Sequence, residues 1–139
     1  MGYETFFDNF DDKPFHQYLG LKLIETRPDY AHLRLTISES TPTGIGGSVN
    51  GGVLSTMVDM AAVPAVFSNM SDNSQPAGTA DLQITYLNQA HGKWVDAQAT
   101  VIKRGRQLCT VQVKITDPEG NLCAVGRVLY ALRPEQRTN

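Results

Sequence analysis

The sequence has few of the residues from which metal sites and disulfide scaffolds are built. It contains 2 cysteines and 3 histidines among 139 residues. Cys109 and Cys123 have neither a CxxC nor a Cys/His metal spacing, and the histidines are widely scattered. We therefore expect no metal site, two buried free thiols instead of a disulfide framework, and a reducing, cytoplasmic setting.

A basic block and a long hydrophobic run are also missing. The formal net charge is −2, and arginines do not alternate with aromatic residues, which argues against nucleic acid as the main partner. The apolar run over residues 53–67 is too short to cross a bilayer and contains Asp59 and Pro64. Residues 1–12 are aromatic and acidic, unlike a signal peptide. We therefore expect that the protein binds neither nucleic acid nor a membrane.

The length predicts one domain over residues 1–139, with an N-terminal extension at 1–13 and a C-terminal tail at 134–139. A short packing helix is predicted from Pro14 to Leu19, and a long apolar helix from Asn50 to about Asn69. Hydrophobic alternation predicts six strands, at 21–27, 31–38, 78–87, 94–103, 107–116 and 122–133.

This order of elements favours an α+β architecture in which a mostly antiparallel sheet wraps around one buried helix. In the strand at 78–87, simple alternation places Thr79 and Asp81 on one face and Ala80 and Leu82 on the other. One helix cannot cover both faces of a six-stranded sheet, and the sheet has edges to satisfy. We therefore expect a homo-oligomer.

Asp59 is the only formal charge between Glu39 and Asp72 and falls in the middle of the long apolar helix. Desolvating a lone carboxylate costs several kcal/mol or more, so its position needs an explanation. A catalytic role explains it. A structural role would need a buried arginine as partner, for which Arg34 and Arg127 are the candidates.

Three segments carry a resemblance to a known family: VNGGVLSTMVDMA (49–61), GTADLQITYLNQA (78–90) and the hairpin at 103–108. Over about residues 15–133 the chain resembles the hotdog-fold acyl-CoA thioesterases, specifically the phenylacetate-pathway (PaaI-like) subgroup. The central segment is similar to that family's His-Gly-Gly motif, which has an acid eight residues after the first glycine. Gly51 and Asp59 have that spacing.

The resemblance implies hydrolysis of an acyl-CoA or aryl-acyl-CoA thioester, with Asp59 as general base or nucleophile. It implies that the backbone amide of Gly51 polarises the thioester carbonyl, which suits the positive end of a helix dipole. Thr79 falls where the family often has a hydroxyl residue that places the attacking water, although threonine is also an ordinary strand former. In that family the site is usually completed across a dimer interface, so the resemblance implies a homodimer or homotetramer.

For the CoA phosphates, the resemblance points to the basic residues Lys103, Arg104 and Arg106 around a tight turn. A solvated charged hairpin is an equally good interpretation of the same residues. Arg133 and Arg137 are weaker candidates. Because CoA is part of the substrate, no separate cofactor is expected.

Two positions depart from the family's pattern. Asn50 stands where the family has histidine, and Gly44 stands where a relative has asparagine or glutamine. An asparagine amide can donate towards a carbonyl or cap the helix, but it cannot shuttle protons. A non-catalytic hotdog module that binds acyl-CoA is therefore the alternative. A hotdog hydratase or dehydratase is disfavoured, since no histidine lies between His32 and His91.

Overall fold

A computed structural model describes residues 2–135, so Arg137 lies outside the described residues. Over these residues the chain forms three α-helices, a short 3-10 turn at Ile45–Gly47 and six strands. The elements are α1 (Glu4–Asp8), α2 (Pro14–Leu19), β1 (Leu21–Arg27), β2 (Tyr30–Thr36), α3 (Gly51–Phe67), β3 (Ser74–Tyr86), β4 (Trp94–Arg104), β5 (Leu108–Thr116) and β6 (Leu122–Pro134). The sequence did not predict α1, the 3-10 turn, or the start of β3 at Ser74.

The six strands make one antiparallel sheet in the order β1-β2-β4-β5-β6-β3. The long helix α3 packs across the inner face of this sheet and contacts β2, β4, β5 and β6. This arrangement is the hotdog fold, as predicted. In the described part of the chain, β3 is an edge strand that pairs only with β6, and its Pro76 is tolerated because an edge strand has a free side.

The core lies between α3 and the sheet. In β2 the alternating residues Ala31, Leu33 and Leu35 are fully buried, which confirms the predicted inner face of that strand. The facing residues of α3 include Met57, Val58 and further buried side chains in every turn. The inner residues of the neighbouring strands complete the core: Val95, Ala97, Ala99, Cys109, Val111, Val113, Ile115, Ala124 and Val128.

The residues before α2 also join the core. Phe10 is only 1% exposed, and the carboxylate of Asp11 accepts a hydrogen bond from the Leu23 amide at 2.8 Å. His16 is buried, with its Nδ1 2.6 Å from the Phe10 carbonyl and its Nε2 3.4 Å from the Met60 sulfur. Part of the segment predicted as an extension is thus packed against the domain.

The face predicted for Thr79 was wrong, because β3 contains a bulge. Thr79 pairs with Tyr130, but the next residue of β6, Leu129, pairs with Asp81, so Ala80 is the extra residue. A one-residue slip exchanges the two faces of a strand. Thr79 therefore joins Leu82 on the inner face, towards α3, while Asp81 stays on the outer face.

Gly126 of β6 packs directly against the side chain of Val58 on α3. A Cβ atom on this glycine would lie 2.5 Å from Cγ1 of Val58, a side chain with no exposed surface.

Among residues 2–135, no helix is long and apolar enough to span a membrane.

Gly126→Ala is expected to destabilise the fold by about 1–3 kcal/mol, because the added methyl group overpacks the helix–sheet interface. Urea unfolding should show a lower midpoint with an unchanged slope. Gly44→Ala is the matched control, since a Cβ there meets its nearest atom at 3.6 Å, which is ordinary contact. Equal midpoint shifts for the two variants would contradict the proposed overpacking.

Candidate active site

Asp59 lies half-buried on the stripe of α3 that the sheet leaves partly open, together with Ser55 and Thr56. The two hydroxyl residues bond back to the Gly52 carbonyl, each at 2.9 Å, so they leave Asp59 free. The hydroxyl of Thr79 donates to Oδ1 of Asp59 at 2.6 Å. The bulge in β3 makes this contact possible, and it joins two of the predicted site residues.

Neither candidate arginine neutralises Asp59. Arg34 donates to both oxygens of Asp96, at 2.8 and 3.2 Å, on the outer face of the sheet. Burial raises the pKa of Asp96, but the hydrogen bonds from Arg34 and His32 outweigh it and hold that pKa below the usual value. Arg127 is exposed. No lysine, arginine or histidine of residues 2–135 forms a salt bridge with Asp59. The structural explanation by a buried arginine therefore does not hold.

Tyr130 is a member of this site that the sequence did not indicate. It is the register partner of Thr79 on β6, and its side chain is buried on the inner face of the sheet, with 5% of the residue exposed. Burial, reinforced by the negative charge of Asp59, raises the pKa of Tyr130 to about 12. The phenol is therefore a neutral hydroxyl that feels the charge of the Asp59 carboxylate. An isolated tyrosine in a strand pattern carries no signal of such a role, because the strand pairing is needed to place it.

The second part of the site is the N-terminus of α3. Asn50 is the N-cap, and its Oδ1 accepts from the Gly52 amide at 2.8 Å. Its Nδ2 lies 3.5 Å from the Thr43 carbonyl. The Gly51 amide donates to no acceptor within the described part of the chain. It is therefore an orphan donor at the positive end of the helix dipole.

A cavity of about 410 Å³ opens at this helix end. Gly51 and Gly44 line it with Tyr86 and Gln89. The Tyr86 hydroxyl donates to the Gly51 carbonyl at 2.6 Å, and its ring lies where a Cβ on Gly51 would come within 3.1 Å. The side-chain amide of Gln89 occupies the space over Gly46. Tyr86 and Gln89 thus furnish polar groups beside Gly44, which has none.

The three basic side chains of the hairpin point in different directions, one inward and two towards solvent. Arg104 donates to the Asp29 carboxylate at 2.8 and 3.1 Å and to the Val66 carbonyl at 2.9 Å. Its guanidinium therefore ties the hairpin to the C-terminal end of α3. Lys103 and Arg106 are exposed. Arg106 lines a cavity of about 610 Å³ next to this turn.

The described residues contain no cluster of three or more histidine, cysteine, aspartate or glutamate side chains that could hold a metal ion. Cys109 and Cys123 are both buried and unpaired with each other. Burial raises the pKa of each thiol, which disfavours the thiolate that nucleophilic chemistry would need.

Comparison with known proteins identifies the family. The sequence model described as "Thioesterase superfamily" matches residues 46–124, more than half of the chain, so the protein belongs to the thioesterase superfamily. The matched region includes Asp59, Thr79 and the N-terminus of α3, whereas Tyr130 lies beyond it.

Individual relatives agree with this assignment. The chain is 30% identical over 107 residues to a protein of Saccharolobus solfataricus named "Putative esterase", covering 77% of this chain and 69% of that one. The structure of zebrafish thioesterase superfamily member 2 is 27% identical, with a TM-score of 0.78 and coverage of 94% and 98%. A thioesterase of Haemophilus influenzae, at 19% identity, shares the fold with a TM-score of 0.81 and coverage of 94% and 90%. Together these likenesses support thioester hydrolysis in general.

Proposed function

We propose that the protein is an acyl-CoA thioesterase of the PaaI-like subgroup. It hydrolyses an acyl-CoA or aryl-acyl-CoA thioester to the free acid and CoA, with Asp59 as general base or nucleophile. One observation carries this proposal: a carboxylate in the central helix that has no basic partner among residues 2–135 and accepts a hydrogen bond from Thr79 at 2.6 Å. That bond orients the carboxylate, and its second oxygen stays available for the reaction.

The Gly51 amide is the proposed oxyanion donor. Its hydrogen has no protein acceptor in the described chain, and the helix dipole favours negative charge at that end. Both features suit the oxygen of a tetrahedral intermediate. Asn50 supports this donor by capping the next amide, that of Gly52, which keeps the first turn of the helix in place.

A single chain cannot bring these two halves together. Asp59 lies eight positions after Gly51 in the helix, which corresponds to about 12 Å along the axis. A thioester carbonyl and its attacking water need to lie about 3 Å apart. We therefore propose a homodimer or homotetramer in which Asp59 acts with the partner's Gly51. The edge strand β3 has unpaired backbone groups on one side and supports such an association.

The CoA phosphates are proposed to bind at the basic hairpin, through Lys103 and Arg106 beside the cavity of about 610 Å³. Arg104 supports them indirectly, since its ion pair with Asp29 holds the turn. The cytoplasmic setting remains part of the proposal, and the buried free thiols of Cys109 and Cys123 are compatible with it.

Arg106→Gln is expected to raise KM for CoA thioesters by about threefold to tenfold with little change in kcat. The reason is that one charge-assisted contact to a phosphate is lost far from the reacting carbonyl. The control is the N-acetylcysteamine thioester of the same acid, which has no nucleotide. Its hydrolysis should be unaffected, and an equal loss with both substrates would contradict phosphate binding by Arg106.

A non-catalytic module that binds acyl-CoA is the second candidate. It is favoured by Asn50, whose side-chain oxygen is engaged in capping the helix, and by Gly44, which lacks a donor side chain. Calorimetry with a non-hydrolysable acyl-CoA thioether, paired with a turnover assay, separates the two functions. Tight binding without turnover would support the module.

The proposed function is tested with a panel of acetyl-, octanoyl-, palmitoyl-, phenylacetyl- and 4-hydroxybenzoyl-CoA. The released thiol is measured for each substrate. We expect turnover of at least one member at rates far above the uncatalysed hydrolysis. No turnover of any member would contradict the proposal.

A further inference from the structure

Three elements bring three hydroxyl or carboxyl side chains to one place. Asp59 comes from α3, Thr79 from the edge strand β3 and Tyr130 from its neighbour β6. Thr79 and Tyr130 are register partners, so their side chains lie side by side on the inner face. The Thr79 hydroxyl is bonded to Oδ1 of Asp59, while Oδ2 has no donor from residues 2–135.

The Tyr130 ring is held firmly, whereas its hydroxyl is free. The ring packs edge-on against Phe67, with centroids 6.1 Å apart, and only 5% of the residue is exposed. Within the described chain, the hydroxyl makes no hydrogen bond and its oxygen keeps some exposure, since the one fully buried side-chain N or O atom without a partner is Nε2 of His32. A purely structural ring at this position could be phenylalanine, which would fill the same space. A hydroxyl that is free, reaches solvent and belongs to the register partner of Thr79 therefore suits a polar group that binds between it and Asp59.

The electrostatics keep this hydroxyl neutral. Its pKa is raised to about 12, first by burial and then by the charge of Asp59. Tyr130 therefore carries its proton throughout the neutral range and does not compete with Asp59 as a base. It can still accept a hydrogen bond from a water molecule and donate one of its own.

We propose that Tyr130 is a catalytic residue of the thioester hydrolysis, whose hydroxyl binds the attacking water together with Oδ2 of Asp59. This inference rests on the proposed function and assigns Asp59 the role of general base. The water gives one hydrogen bond to Asp59 and the other to the Tyr130 oxygen, which leaves a lone pair directed at the thioester carbonyl.

The step balances without a co-reactant. The water oxygen bonds to the carbonyl carbon, and its proton passes to Asp59. The C–S bond then breaks, the electron pair leaves with the CoA sulfur, and the proton on Asp59 returns to that thiolate. The products are the carboxylic acid and the CoA thiol, while Tyr130 ends the cycle unchanged.

Tyr130→Phe tests the inference, because it removes the hydroxyl and keeps the ring that packs against Phe67. With the panel thioester that the wild type hydrolyses fastest, kcat should fall by roughly tenfold or more, since one hydrogen bond to the reacting water is worth about that factor. KM should stay within about twofold. Tyr18→Phe is the matched control, as that hydroxyl belongs to a residue that is 70% exposed on α2, and it should leave kcat unchanged.

A double variant separates catalysis from structure. If Tyr130 acts on the water that Asp59 activates, Tyr130→Phe should cause almost no further loss of kcat in an Asp59→Asn background. A full additional loss in that background would overturn the inference, and so would a wild-type kcat in Tyr130→Phe or a rise in KM alone. These results leave the thioesterase proposal standing. Absence of wild-type turnover on every panel member would overturn both.

Discussion

Asp59→Asn is expected to lower kcat for thioester hydrolysis by roughly 10³-fold, within the range seen for loss of a general base. Asparagine has the same shape, and its carbonyl oxygen can still accept the hydrogen bond that Thr79 donates at 2.6 Å. It cannot take a proton from water or attack the carbonyl. KM should change little, because the substitution leaves the groups proposed to bind CoA untouched.

The measurement is the rate of thiol release from the best panel substrate, together with thermal unfolding of each variant. Because no salt bridge to Asp59 exists among residues 2–135, the amide should cost little stability. Asp81→Asn is the matched control, because Asp81 is an exposed acid on the outer face of β3, the strand that contributes Thr79. Undiminished hydrolysis by Asp59→Asn would show that the proposed mechanism is wrong.

The sequence predicted the parts of the fold that depend on local periodicity. The alternation of Ala31, Leu33 and Leu35 identifies a buried strand face, and Asn50 marks the start of α3, because both signals are carried by neighbouring residues. The isolated charge of Asp59 identified the centre of the candidate site for a similar reason. The apolar residues on either side of Asp59 in the sequence already indicate that this carboxylate lies in a mostly apolar helix.

The rest of the site depends on contacts between distant segments. The bulge at Ala80 is set by the pairing of β3 with β6, and it alone turns Thr79 towards Asp59. Tyr130 lies 71 positions after Asp59 in the sequence and is brought to it only by that pairing. Arg104 is a second example, since its partner Asp29 has a left-handed backbone conformation in the turn between β1 and β2. Periodicity cannot predict such partners, because it contains no information on register.

Gly51→Pro is expected to have the second large effect on kcat. Proline has no backbone N–H, so it removes the proposed oxyanion donor. Proline is well tolerated at the first helical position, and Asn50 already has φ −56° and ψ 136°, which a following proline accepts. Gly51→Ala is the matched control, because it adds a Cβ next to the Tyr86 ring but keeps the N–H. Relative to alanine, proline should lower kcat by roughly 10²–10³-fold. Equal kcat values for the two variants would exclude the amide as the donor.

The same two variants test whether the site is shared between subunits. In a mixed dimer of Asp59→Asn and Gly51→Pro chains, one site carries both changes, and the other combines an intact Asp59 with the partner's Gly51. Random pairing of co-expressed chains should therefore restore about a quarter of the wild-type activity, although each variant alone is nearly inactive. If Asp59 acted with the glycine of its own chain, no mixed dimer would contain an intact site. Activity restored on mixing would therefore require a site shared between subunits. This is the expected outcome, because about 12 Å of helix separates the two groups within one chain.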